Sequence, residues 1–321
     1  MCGIKVYKWA VNRGLQQAVL AFALMQINLS VFAFSSLVIF GDSLSDTGNH
    51  PGGLLGLPPP YYQNRISNGP VAVDVLAQSL GLSAAHSGYL FSNGSGSNYA
   101  VSGANAAGND PQDLTVQLQA FYSRSPARLD ADALYVVMVG GNDVRDASVM
   151  KSSAAASTAV DAAVGSIRFA LLGLMQKGAR NILVVNVPDI SKIPETTQRA
   201  ATNPGLLARA RQLSIDFNQR LELRLNSLIQ TPGLHLYRFD FYSDFNDILN
   251  HSGAYGFSNT SEACFDFDHY AYHPQCQFER FVFFDSIHPT AKMHALIGQG
   301  MLRSLQRASA ALPGVILLLL N

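Results

Sequence analysis

The sequence predicts an α/β fold, a doubly wound three-layer α/β/α sandwich built on a mostly parallel sheet of five strands. Three observations carry this expectation. Five short β-rich apolar runs recur along the chain, helical stretches separate several of them, and no repeat or low-complexity linker divides the 321 residues. Alternation of this kind favours parallel strands joined by right-handed helical crossovers. A content of 48% hydrophobic and 14% charged residues allows a large core and rules out wholesale disorder.

The five runs are Ser36–Phe40, Ser97–Val101, Leu134–Val139, Asn181–Val187 and Leu234–Phe239. Their continuous apolar character suits strands covered on both faces. Val71–Leu80 places apolar residues at 71, 75, 76 and 80, a helical period. Ser153–Lys177 is Ala-rich and stops at Gly178, and Leu206–Ile229 ends before Pro232 and Gly233. A last helix is expected after Pro289, running to about Gln306. Two loop-rich stretches, 50–68 and 242–281, are long enough to suggest functional loops.

The ends stand apart from this pattern. Lys5, Lys8 and Arg13 precede an apolar stretch from Ala18 to Phe34 that contains no acid. Small residues at Ala33 and Ser35 fit a signal-peptidase site, so residues 1–35 read as a secretory leader and the chain as secreted or periplasmic. An uncleaved anchor is the competing reading, weakened by Gln26, Asn28 and Ser30. One domain is expected over 36–310, followed by an apolar tail at 311–321 too short to span a bilayer. Loss of the leader removes three positive charges from a balance of 22 against 22, leaving −3. With no basic excess, a nucleic-acid partner is not expected. Cys264 and Cys276 then remain as an even pair, read as a disulfide in an oxidising compartment.

Ligands of an open parallel sheet bind beyond the carboxyl ends of its strands. Gly41-Asp42-Ser43 follows the first run, Ser102-Gly103-Ala104 the second and Gly140-Gly141-Asn142-Asp143 the third, while Asp285-Ser286-Ile287-His288-Pro289 lies near the end. This set supports nucleophilic acyl transfer. A serine hydroxyl needs an adjacent base, which His288 can supply, and Asp285 can fix the imidazole tautomer. The amides of Ser43 and Gly103 and the side chain of Asn142 can donate to a developing oxyanion. Asp42 and Asp46 are expected to bind turn amides.

At these residues the sequence resembles the GDSL family of SGNH hydrolases. Val38–Asn49 is similar to the family's first block, Asn98–Ala104 to its glycine block, Gly140–Asp143 to its asparagine block and Asp285–Thr290 to its terminal block. Arg65–Pro70 also looks like family sequence, and the likeness spans about 36–305 in family order. The resemblance implies a flavodoxin-like sandwich of the SGNH type and a serine esterase or lipase. Ser43 would be nucleophile, His288 base and Asp285 its orienting acid, with Ser43, Gly103 and Asn142 forming the oxyanion hole. The subgroup it most resembles includes secreted bacterial lipases, phospholipases and acyltransferases.

The expected partner is a small-molecule or lipid ester, with transient contact to a membrane surface, and no metal or organic cofactor is called for. Asp266, Asp268, His269 and His273 fit no strong zinc spacing and read as a solvated loop. Gly41–Ser45 lacks the last glycine of the Gly-x-Ser-x-Gly elbow. Pro51–Tyr62 could wall an acyl pocket, form a mobile flap over it, or pack on the body. Two rival functions use the same fold: an acetylesterase acting on carbohydrate, and a non-catalytic binding module.

Overall fold

In the computed structural model, described over residues 34–50, 56–91 and 94–310, the chain enters the core at once through β1 (Leu37–Gly41), all five residues of which are buried. The leader expected over residues 1–35, but for its last two residues, and the 311–321 tail lie outside the described residues. Three further strands, β2 (Leu134–Met138), β3 (Asn181–Val185) and β4 (His235–Phe239), continue the sheet in the order β1-β2-β3-β4. All pairings are parallel, with Ile39 beside Val136, Val136 beside Leu183 and Leu183 beside Tyr237.

The sheet thus has four strands where five were expected. The segment at 97–101 does lie along the outer edge of β1, where Ile39 and Tyr99 amides donate to Ser97 and Ile39 carbonyls, and the Val101 amide to that of Gly41. Its one bridge to β1 is Ile39–Asn98; Asn98 also bridges His86 on its other side, and its side chain accepts the Ala100 amide. Counted with that segment, the order is the 2-1-3-4-5 of flavodoxin-like sheets, whose switch point falls between β1 and β2.

Helices cover both faces. α1 (Ala72–Leu80) opens where the Asp74 side chain reaches back to accept the Val71 amide, and closes at Gly81 in the left-handed region. It packs on the final helix α8 (Ala291–Ala310), which also meets β4. The opposite layer holds α2 (Leu114–Arg124), α3 (Gly141–Ser148), α4 (Ser153–Gln176) and α6 (Leu206–Asn226). α4 is long and apolar enough to cross a membrane by composition, but one stripe of it, including Val160, Val164, Ile167 and Leu171, is buried against α2, α3 and α6. A short α5 (Pro194–Ala200) packs on α6.

Part of the stretch expected to be loop-rich from 242 onward is helical. α7 (Phe241–Asn250) starts at an Asp240 cap that accepts the Ser243 amide, and buries Phe241, Phe245 and Ile248 at helical spacing. Beyond it, β5 (Asn259–Ala263) pairs with β8 (Phe281–Phe283), and β6 (Phe265–Asp266) with β7 (Ala271–Tyr272) as a hairpin. Cys264 and Cys276 are bonded at the base of this hairpin, with Cα atoms 4.9 Å apart.

Candidate active site

Ser43 sits on the tight turn that leaves β1 at the switch point. The turn is held by the Ser45 amide donating to Asp42 carbonyl at 3.0 Å and by the Leu44 amide donating to the Asp42 carboxylate at 3.0 Å. Below it, Gln117 of α2 accepts the Gly41 amide and donates to the Gly41 carbonyl, at 2.9 and 2.7 Å. This fully buried side chain clamps the strand end that carries Ser43. Nothing in the sequence marked Gln117, since a lone glutamine in an amphipathic helix carries no signature.

Asp285 and His288 arrive from the other end of the chain. The Asp285 carboxylate accepts the amides of Ile287 and His288 at 2.8 and 2.7 Å, which folds the loop into a tight turn. His288 Nδ1 then lies 2.8 Å and 2.9 Å from the two Asp285 oxygens, and its Nε2 lies 3.0 Å from Ser43 Oγ, across 245 residues of sequence. The loop is fastened from outside by the Glu195 amide, which donates to Ser286 carbonyl, and by Phe284, whose amide donates to His288 carbonyl. Burial alone would raise the Asp285 pKa, but the charge of His288 and the hydrogen bonds from His288 and Ile287 outweigh it and hold the carboxyl below its ordinary value.

The two middle blocks adjoin the first: Asp46 accepts the Ser102 amide, and a Cβ at Gly141 would lie 4.0 Å from the Asp42 carboxylate. Gly103 has φ +84°, a conformation that excludes most side chains, and a Cβ there would face open space. Asn142 donates one amide hydrogen to Ala104 carbonyl at 2.8 Å, leaving its second for another acceptor. The amides of Ser43 and Gly103 have no protein acceptor among the described residues. Gly140, at φ +125°, starts α3, and the ring of Phe217 fills the space a Cβ would need.

Buried carboxylates and amides tie these blocks together. Asp46 accepts the Gly48 and Asn49 amides on one oxygen and the Ser102 amide and hydroxyl on the other, so the first block holds the glycine block. Asp143 accepts the amides of Ala106 and Ala107. Asn49 donates to the carbonyls of Asn98 and Ala100. Asp42 and Asp46 therefore do bind turn amides. Burial pushes the carboxyl pKa of Asp42 and of Asp143 up to about 6, and raises that of Asp46 as well. The Arg65–Pro70 stretch is structural: Arg65 pairs with Asp74 through two 2.8 Å hydrogen bonds, and Asn68 accepts the Ala291 amide at the start of α8.

Beside His288 opens a cleft of about 1050 Å³. One wall is apolar, with Leu57, Tyr61, Ile66 and Phe265, while Glu195, Thr197 and Gln198 of α5 supply polar groups. Tyr61 packs against Phe265 and Phe284, ring centroids 5.9 and 5.3 Å apart. Residues 51–55 of the Pro51–Tyr62 segment lie outside the described residues, and Leu57 and Tyr61 line the cleft. A second groove of about 630 Å³, between β4 and α6, is lined by no residue of the four blocks.

Asp266, Asp268, His269 and His273 do not converge. Asp266 accepts the amides of Asp268 and His269 and meets the His269 ring, whereas His273 faces Glu262 at 3.6 Å. Among the described residues, no group of three or more His, Cys, Asp or Glu side chains is arranged to hold a metal ion.

Sequence comparison matches residues 37–301 to the family described as GDSL-like Lipase/Acylhydrolase. A phosphatidylcholine-sterol acyltransferase of Aeromonas hydrophila is 30% identical over 241 residues, covering 73% of this chain but just under two thirds, 66%, of that protein. Acetylajmalan esterase 2 of Rauvolfia serpentina is 29% identical over 280 residues, covering 74% of this chain and 77% of that one. Among solved structures, an acetylxylan esterase of Geobacillus stearothermophilus aligns over 84% of this chain and 93% of its own at 14% identity and a TM-score of 0.47. With the family match covering β1 through most of α8, the chain belongs to the GDSL-like lipase/acylhydrolase family of carboxylic ester hydrolases.

Proposed function

We propose that this chain is an exported serine esterase that cleaves acyl esters through a covalent intermediate on Ser43. The observation that carries the reading is the continuous relay Ser43 Oγ, His288 Nε2, His288 Nδ1, Asp285, with 3.0 Å at the first contact and 2.8 Å at the last. His288 Nε2 takes the Ser43 proton as Oγ attacks the ester carbonyl. Asp285 accepts from Nδ1–H, keeping the Nε2 lone pair directed at Ser43. The carbonyl oxygen, now an anion, receives hydrogen bonds from the Ser43 and Gly103 amides and the second Asn142 hydrogen. His288 returns its proton to the leaving alkoxide, and the acyl group stays on Ser43. Water, deprotonated by the same imidazole, then releases the acid.

The aromatic and aliphatic wall formed by Leu57, Tyr61, Ile66 and Phe265 favours an acyl chain over a sugar as the group lodged beside the reacting carbon. Export is supported by the basic and apolar leader and by the bonded Cys264–Cys276 pair, which persists in an oxidising compartment. The test is a panel of p-nitrophenyl esters from acetyl to long acyl, with an acetylated xylan alongside. Hydrolysis is expected to fall by at least about 10³-fold in Ser43→Ala, the scale of other triad removals. Undiminished cleavage by the purified variant refutes the mechanism, and turnover confined to the acetylated sugar refutes the acyl-ester preference.

A further inference from the structure

Three of the large hydrophobic side chains left in water sit together on the β6–β7 hairpin. Phe267, Tyr270 and Tyr272 are 62%, 51% and 55% exposed. Large rings clustered in water on one turn mark an interaction surface more than ordinary surface variation. The rings are held stiffly. Phe265, fully buried, stands 5.2 Å from Tyr270 and 5.4 Å from Tyr272, and Phe267 packs on Tyr61 at 6.3 Å. The Tyr270 hydroxyl donates to the carbonyl of Pro59, Asp266 accepts two amides of the turn, and the Cys264–Cys276 bond closes the base.

This tip is continuous with the cleft. Phe265, Phe267 and Tyr272 line it, and Phe265 stacks on Phe284, the residue before Asp285. Charge narrows the choice of partner. Between Cys264 and Cys276 the chain carries Asp266, Asp268, His269 and His273 but no Lys or Arg, and the cleft lining has none either. An anionic surface therefore gains no lysine or arginine contact here. Phenol rings with an apolar body and a polar tip suit the boundary between headgroups and acyl chains.

We propose that the 265–272 hairpin docks on a zwitterionic lipid–water surface and brings an acyl ester held there to the cleft. The delivery step rests on the esterase reading above; the docking itself does not. The experiment uses the full chain carrying Ser43→Ala, so that vesicles stay intact. It is co-sedimented with phosphatidylcholine vesicles and with vesicles enriched in phosphatidylglycerol, at low and high salt. Binding to phosphatidylcholine is expected, little changed by salt and not improved by phosphatidylglycerol. Phe267→Ser combined with Tyr272→Ser should weaken it by about tenfold or more, the loss of roughly one large apolar contact. Thermal unfolding checks that the double variant is folded, and Phe267→Ser alone, severalfold weaker, serves if it is not. Absence of binding to phosphatidylcholine, undiminished binding by the folded variants, or binding only to anionic vesicles that salt abolishes would each overturn the proposal. So would loss of binding to acetylated xylan with vesicle binding intact. A chain that binds vesicles while its Ser43 parent cleaves no ester refutes only the esterase reading.

Discussion

His288 faces Ser43 with one ring nitrogen and Asp285 with the other, so the proposed chemistry turns on which nitrogen bears hydrogen. A carboxylate held below its ordinary pKa remains an acceptor throughout the neutral range, and it draws the hydrogen to Nδ1. Asp285→Asn preserves the shape and one acceptor for the turn amides, but its NH₂ can donate to Nδ1. The imidazole is then driven to the tautomer with hydrogen on Nε2, which cannot accept the Ser43 proton. The expected result is a fall in kcat of about 10⁴-fold, the size seen for this change in a serine-protease triad. It is read with a soluble short-chain p-nitrophenyl ester. A loss below tenfold would mean that Asp285 serves only to shape the loop.

At the scale of elements, His288 is placed by the start of the last helix. Thr290 donates its hydroxyl to Phe281 carbonyl, and α8 then starts at Ala291, whose amide is satisfied by Asn68 from a loop 223 residues earlier. Asn68→Ala leaves that terminal donor unpaired and should lower stability by about 1 kcal/mol, the usual worth of a cap side chain. Urea unfolding measures it, and an unchanged midpoint would show that water replaces Asn68 at no cost. Sequence reading located all four strands of the sheet and the four principal helices within a few residues, because each carries a continuous apolar run or a long stripe. It missed α2, α3, α5 and α7, of eleven, eight, seven and ten residues, too short for a stripe to stand out from their Gly, Pro and Asp starts. The 97–101 edge read as a strand because Tyr99-Ala100-Val101 is a continuous apolar run; what interrupts the ladder is the Asn98 side chain, a tertiary choice. The residues of the candidate relay were legible because catalysis constrains side-chain type. Gln117 and Asn49 were not, since any polar group of the right reach can clamp a strand end.

Across the whole molecule, the carboxyl edge of the sheet is held together by buried acids, and this sets how the fold responds to pH. Asp42 and Asp143 have no close cationic partner strong enough to offset burial, so each prefers to be protonated in the folded state, up to about pH 6. A carboxyl raised in this way adds stability below its unfolded value near 3.8 and loses it as pH rises through about 6. Asp285 works in the opposite direction, stabilising above the unfolded value and losing that as pH falls. Asp42→Asn separates the two. It keeps an oxygen for the Leu44 amide and mimics the protonated acid, so it should raise the unfolding temperature at pH 7.5, by an amount equivalent to about 2–3 kcal/mol. Near pH 4.5 the parent is itself largely protonated at this position, and the gap between the two proteins should shrink to a small remainder. Paired thermal scans at the two pH values decide the matter. A gap that is equal at both, or larger in acid, would mean that burial does not strain the Asp42 carboxylate and that the turn under Ser43 is held at no electrostatic cost.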